Sequence, residues 1–440
     1  MKRIVICVIV LCFLCGCSNI DLQNDIFDEN SSKIIVSSDA SSHVTKEQQK
    51  GIVVQNIDKF GVNYTAEYSK SLIFPAVSGL SPIDSSKKWY YSYLPDNLKS
   101  GYLKLCEGAE RMADGFINLG KITAKEARLL FCAIKLDHPE YFWLSSKYVI
   151  CESSGNYLIA FKYIKESVAS DYLVTPSERN TMAAKLKSKI AEYLKGLSGK
   201  SDYEKEKIIH DRLLSNVTYN AGASKNYDKY PNSYNAYGAL VEGTGVCEAY
   251  AKAMQLLLNE AGVECILVNG SSEGDGHMWN LVKIHGYWYH LDPTWDDSDD
   301  YLNYAYFNLS DGCIEDTHII DKDYDLYDVL GDNESFNYNL PKASTMEYSY
   351  FSVNNTLITS KESAYTTILN AVIEACNNGK VRQDFGYTAG FLNKYKSGSE
   401  MESKLHLQQL FYDVSKKVGT KIRLQNIIIN YNKNFILIWQ

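Results

Sequence analysis

Arginine is scarce in this chain: 7 of its 45 basic residues are Arg, and the net charge is −8. Binding to nucleic acid needs clustered cations, and bidentate phosphate reading needs Arg, so no nucleic-acid partner is expected. The 11 Cys in 440 residues are too sparse for a disulfide scaffold. They contain no Cys-x-x-Cys pair, so a structural zinc site has little support. No internal repeat is visible. Beyond the first residues, no apolar run reaches the roughly 18–20 residues of a membrane-spanning helix. What is present is ordinary for a globular protein: 45% hydrophobic residues in a chain of 440. That length suggests two to four domains.

The start of the chain has its own pattern. Lys2 and Arg3 precede an apolar run from Ile4 to Leu14, too short to span a bilayer but suited to an export signal. The run ends in Leu14-Cys15-Gly16-Cys17, which resembles a bacterial lipobox. That resemblance implies a signal peptide over residues 1–16 and a lipid on Cys17, giving an exported protein anchored in the cell membrane. Residues 17–50 are rich in Ser, Asp and Asn, and are expected to form a flexible tether.

Residues 55–200 alternate helical and strand patterns. Leu98, Tyr102, Leu105, Ala109, Met112 and Phe116 mark one helical face. Thr123 with Glu126, Thr175 with Glu178 and Ser201 with Glu204 form capping boxes that start three more helices. Lys147–Cys151 and Tyr157–Ile164 flank a Ser-Gly-Asn turn and predict a hairpin. His138, before Pro139, is expected at a helix end, and no chemistry is legible in this region. Residues 345–440 look like a small α+β module, with two helical stripes and a closing hairpin about residues 431–434. An accessory or binding role is expected there. The 34 Tyr residues also suit surfaces that hold sugars or peptides, although plain core and surface use explains them better.

The chemistry lies in residues 235–297. Gly243-Thr244-Gly245-Val246-Cys247 leads into a helical pattern carrying Tyr250, Met254, Leu257 and Leu258. Cys247 therefore stands at a helix N-terminus, where free N–H groups and the dipole favour a thiolate and can stabilise an oxyanion. Further on, residues 277–284 and 287–292 alternate as two strands about His285-Gly286. If these two residues form the turn, Ile284 pairs with Tyr287, and His277 lies diagonal to Asp292 on one face. A thiol, an imidazole and a carboxylate in that order have the parts of a nucleophile, its base and the group that orients the base.

Three blocks carry a resemblance: Gly245-Val246-Cys247-Glu248-Ala249-Tyr250-Ala251, Gly276-His277-Met278-Trp279-Asn280, and Trp288-Tyr289-His290-Leu291-Asp292-Pro293-Thr294-Trp295-Asp296. In this order and spacing they resemble the transglutaminase-like superfamily. The resemblance implies an α+β, papain-like core, a nucleophile helix packed on an antiparallel sheet, over residues 201–335. It implies Cys247, His277 and Asp292 as the catalytic triad. Family members include protein cross-linking enzymes, peptidases, amidases and non-catalytic relatives. An acyl-enzyme on peptide or glutamine amides is therefore expected, with hydrolysis favoured because nothing marks a second, amine-binding site. A non-catalytic binding lipoprotein is the alternative. Substrates are expected to be peptides or proteins of the cell envelope.

Other groups have duller readings. His285 and His290 are potential metal ligands with His277, but His290 is expected to face opposite to Asp292 and to bond within the sheet. The acidic run Asp296-Asp297-Ser298-Asp299-Asp300 lacks the Gly and Glu spacing of a calcium loop, so a solvated turn is expected and calcium has weak support. No other cofactor is expected. Asn235 and Tyr237 are candidate oxyanion partners. Cys106, Cys132, Cys151, Cys265, Cys313 and Cys376 are expected to be mostly buried and reduced.

Overall fold

The computed structural model describes residues 33–38, 52–55, 88–113, 116–153, 155–163, 176–226, 229–297, 302–321, 323–324, 336–337, 340–388, 398–430 and 434–440. The signal and lipobox residues, Cys17 included, lie outside these, as do Thr175, residues 298–300 and the turn at 431–433.

The first part is a five-stranded sheet with helices. Strands β1 (Lys33–Ser38) and β2 (Ile52–Gln55) pair with each other, and β1 pairs with residues 147–151. The tether reading of residues 17–50 therefore fails for 33–38: the Ile-Ile-Val run has strand propensity, and its backbone joins the sheet. Then follow α1 (Trp89–Tyr93), α2 (Asp96–Glu110), β3 (Ile117–Gly120), α3 (Ala124–Asp137), β4 (Leu144–Ser153), β5 (Asn156–Tyr163) and α4 (Pro176–Tyr193). The sheet order is β2-β1-β4-β5-β3. The periodicity to Phe116 outruns α2, which ends at Glu110 because Met112 turns the chain with φ 50°. The capping box of Thr123 and Glu126 starts α3, and His138 is its C-cap.

The second part carries the candidate site. Helix α5 (Asp202–Leu214) starts at the Ser201–Glu204 capping box. After β6 (Thr218–Tyr219) and a π turn over Gly238–Glu242 come β7 (Thr244–Gly245) and α6 (Cys247–Glu260). Strands β8 (Cys265–Ser272), β9 (Asp275–Ile284) and β10 (Tyr287–Leu291) lead to α7 (Pro293–Asp296), β11 (Phe307–Leu309), α8 (Asp311–Ile314) and β12 (His318–Ile320). They form an antiparallel sheet of order β11-β10-β9-β8-β12. Helix α6 packs on β8 and β9 and is buried around its circumference, from Glu248 to Leu258. Asn280 on β9 ties the two layers together, donating to the Ala251 carbonyl of α6 at 2.9 Å. This α+β core is the fold expected from the sequence.

One hydrophobic core crosses residue 200: Leu98, Phe131, Trp143, Leu186, Tyr250, Leu257 and Val282 all belong to it. Gln255 of α6 donates to the Leu136 carbonyl at 2.9 Å, and Tyr90 donates to the Leu267 carbonyl at 2.5 Å. The preceding helices thus form the back wall of the site helix.

After the short pair β13 (Asp323–Tyr324) and β14 (Phe336–Asn337), the chain enters α9 (Tyr350–Val353). The rest is β15 (Leu357–Ile358), α10 (Lys361–Asn377), β16 (Arg382–Tyr387), α11 (Gly398–Lys404), α12 (Leu407–Val418), β17 (Leu424–Asn430) and β18 (Asn434–Trp439). These strands form a four-stranded sheet with a core of its own around Ile368, Phe385, Phe411 and Trp439.

Candidate functional site

Cys247 is the first residue of α6, and no side chain caps this helix end. The chain reaches it through Gly243, which turns with φ 72°, and through β7, which pairs in parallel with β6. The helix start therefore presents its N–H groups and the thiol together. Cys247 is partly exposed, unlike the buried Cys106, Cys132, Cys265 and Cys313. All of these, with Cys376, are free thiols, and Cys376 is half-buried.

The hairpin has the register read from the sequence. Ile284 pairs with Tyr287 and Asn280 with Leu291. Its two turn residues, His285 and Gly286, both have positive φ (49° and 88°), as a type I′ turn requires. Asp292 follows the last pair and caps α7, its Oδ1 accepting from the Thr294 and Trp295 N–H groups at 2.9 and 3.2 Å. Its Oδ2 faces His277 Nε2 at 2.6 Å. The Cys247 thiol lies near enough to the His277 ring to favour its protonated form. Burial opposes the imidazolium, but the charge and hydrogen bond of Asp292, together with Cys247, outweigh it and push His277 up to about 10. Burial would likewise raise the Asp292 carboxyl, yet His277 and its other donors hold it well below the usual range. The three residues brought together are the three expected from the sequence.

A fourth residue completes the set and was not anticipated. His318 Nε2 donates to the same Asp292 Oδ2 at 2.9 Å. It enters from β12, the strand on the far side of β8. Gly270 on β8 pairs with His277 on one side and Ile320 on the other. A Cβ at Gly270 would run into the Ile319 carbonyl and, at 2.6 Å, the Trp279 ring, so only glycine fits between β12 and that ring. The sole hint in the sequence was a short β-like Thr317–Ile320 segment. Tyr219 was missed as well. This half-exposed ring on β6 lies near Cys247, Asp275 and Asp292; burial first, then these charges, raise its hydroxyl to about 12.

Several expectations are corrected. Asn235 is buried, and its amide donates to the Phe142 carbonyl and Asn232 Oδ1 while accepting from Gly238 N–H, so it is not available to an oxyanion. Tyr237 is also in the core, its ring stacked on Phe142 at 5.2 Å. His290 does not face away from Asp292. Two residues apart on a strand is the same face, and His290 Nδ1 accepts from Trp279 Nε1 at 3.0 Å. Its Nε2 meets Asp311 at 2.9 Å, so it does bond within the fold. His285 stacks on Tyr348 at the opposite end of the hairpin. The acidic run is not a wholly solvated turn: Asp296 is fully buried, bonded to His210 at 3.2 Å and to the Tyr306 N–H at 2.8 Å. Asp297 accepts from Tyr250 Oη at 2.5 Å.

Residues 190–293 match the family model for the Transglutaminase-like superfamily. The chain carries a transglutaminase-like domain. It is similar to the Kyphoscoliosis peptidase of Mus musculus, 27% identical over 107 residues, and to that of Homo sapiens, 26% identical over 107 residues. Each match covers 22% of this chain and 16% of the relative, so the similarity spans about a sixth of those proteins. A crystal structure of a TGase aligns over 41% of this chain and 50% of its own, at 14% identity and a TM-score of 0.26.

Beside the transglutaminase-like domain, residues 88–140 contain a second thiol–imidazole–carboxylate set. Cys106 Sγ lies 3.5 Å from His138 Nε2, and His138 Nδ1 lies 2.6 Å from Glu140. Cys106 sits inside α2 rather than at its start, and burial followed by the charges of Asp137, Glu110 and Glu140 drives its thiol far up, which disfavours the thiolate a nucleophile needs.

Among the described residues, His277, Asp292 and His318 also place three ligand atoms within 4.8 Å of one another. They fit a cation poorly. Both Nε2 atoms are engaged with one carboxylate oxygen, and two backbone N–H groups hold the other. An ion would have to break those bonds in a buried space.

Proposed function

We propose that this chain is an exported, lipid-anchored thiol enzyme that forms an acyl-enzyme on peptide or glutamine amide bonds, with water as the favoured acceptor. The observation that carries this reading is the imidazole of His277, bonded to the Asp292 carboxylate and placed near the thiol of a helix-starting Cys247. The peptidase name of the curated relatives favours hydrolysis. The lipobox-like Leu14-Cys15-Gly16-Cys17 supports the anchor.

The chemistry follows from the contacts. His277 takes the Cys247 proton, and the thiolate sulfur attacks the amide carbonyl carbon. The N–H groups at the start of α6 stabilise the oxyanion. The C–N bond then breaks and His277 gives its proton to the leaving amine. Water attacks the resulting thioester while His277 accepts its proton; the C–S bond then breaks, the carboxylic acid leaves, and the imidazolium returns its proton to the sulfur. A primary amine in place of water gives transfer by the same steps. Asp292 keeps the His277 proton on Nε2, which leaves Nδ1 facing the thiol.

The test uses the full chain with envelope peptides, with and without an added primary amine, against Cys247→Ala. Cleavage by the wild type alone supports hydrolysis, and amine adducts establish transfer instead. Iodoacetamide labelling of Cys247, followed at that peptide by mass spectrometry, should be fast at neutral pH and slowed by His277→Ala. Labelling indifferent to His277 refutes the enzyme reading and leaves a binding lipoprotein.

A further inference from the structure

Asp292 Oδ2 is shared by two imidazoles, His277 at 2.6 Å and His318 at 2.9 Å. The far side of His318 is anchored as well. Tyr306 donates to Thr317 Oγ1 at 3.3 Å. Thr317 Oγ1 donates to the Ile314 carbonyl at 3.4 Å and lies 2.8 Å from His318 Nδ1. A carboxylate only accepts, so His318 Nε2 is the donor to Asp292. Trp279, Trp295 and Tyr306 enclose it, with ring centres 5.0, 5.3 and 5.4 Å away. The titratable groups about it are Asp292, His277 with its ring centre 5.2 Å away, His290 and the Tyr306 hydroxyl.

A second donor on the shared oxygen has two effects. It fixes the carboxylate from a strand independent of the hairpin. It also draws charge from the oxygen that His277 uses, because each donor to a carboxylate weakens its pull on the others. We propose that His318 is a positioning residue that seats Asp292 and tempers its hold on the His277 proton, so that the imidazolium can release that proton to the leaving amine. The role rests on the catalytic reading above. It places a fourth residue, 41 positions beyond His277 in sequence, under the same proton transfer.

The test is the pH profile of Cys247 alkylation by iodoacetamide, which needs no substrate. His318→Phe keeps a ring in the aromatic enclosure and removes the donor, whereas His318→Gln keeps a donor and removes the ring. With the donor gone, the thiolate–imidazolium pair is over-stabilised. In His318→Phe the acidic limb should move down by about one pH unit, so labelling on that limb rises about tenfold. His318→Gln should stay near wild type. In the wild-type protein, imidazole 15N shifts should show a proton on His318 Nε2, the nitrogen that donates to Asp292, a measurement that needs no variant. An unshifted limb in His318→Phe, an equal shift in both variants, or an unprotonated His318 Nε2 overturns the proposal. Labelling slowed by His277→Ala with these results overturns His318 alone. Labelling indifferent to His277→Ala overturns the catalytic reading itself.

Discussion

Asp292→Asn is the sharpest perturbation of this site, because four donors converge on one carboxylate. Oδ1 accepts two backbone N–H groups and Oδ2 accepts two imidazole N–H groups. An asparagine has one acceptor oxygen. If it keeps capping α7, its NH2 points at two ring N–H groups, and donor meets donor. Relief requires His277 to move its proton to Nδ1, facing Cys247, where it cannot act as a base. The negative charge that outweighs burial at His277 is lost as well. A hydrogen bond to a charged group is worth about 1.5–3 kcal/mol, and losing it with the charge behind it removes on the order of 3–5 kcal/mol from the imidazolium. That is about 10²- to 10⁴-fold in turnover. It also leaves Cys247 without an imidazolium partner, so its alkylation at pH 6 should fall steeply. The assay is the alkylation rate from pH 5 to 9, with circular dichroism to establish folding. A folded Asp292→Asn protein that alkylates at the wild-type rate at pH 6 would refute the triad.

Three further outcomes are expected. Glu206 is fully buried, and burial raises its carboxyl from 4.5 to about 8 despite the Asn308 hydrogen bond, so its favourable contribution is complete below pH 4.5 and is lost as pH rises through 8. His210 resists its own burial through Asp211 and Asp296 and rises from 6.5 to about 9; its contribution is present below 6.5 and lost as pH rises through 9. Thermal melts should therefore fall from pH 5 to 9, and Glu206→Gln should remove the slope of up to about 1.4 kcal/mol per pH unit between 4.5 and 8. An unchanged slope contradicts this. Gly270→Ala should cost about 1–3 kcal/mol and slow Cys247 labelling, since a methyl there forces β12 and Trp279 apart; denaturant unfolding and labelling check both. Cys17→Ala should move the protein from the membrane fraction to the soluble one, and retention would overturn the anchor.

What the sequence alone determined is what short-range physics controls. The capping boxes at Thr123 and Ser201 start their helices because Ser or Thr and Glu three residues on satisfy each other's backbone donors. Cys247 begins a helix because Gly243 and Gly245 precede a run with helical period. The His277–Asp292 pair follows from a two-residue turn and a period of two, both local. Where the period was misapplied, at His290, the reading failed. Asn235 and Tyr237 failed for another reason: proximity to the motif says nothing about where an amide or ring finds its partners. Only the tertiary structure decided the rest. His318 reaches Asp292 through a sheet order that puts β12 beside β8, across the space left by Gly270. His210 meets Asp296 over 86 residues, and Tyr219 comes near Cys247 because β6 pairs in parallel with β7, the strand that leads into the site helix. Such contacts depend on how elements pack, and packing of a whole core is a property of many residues that no short stretch of sequence carries.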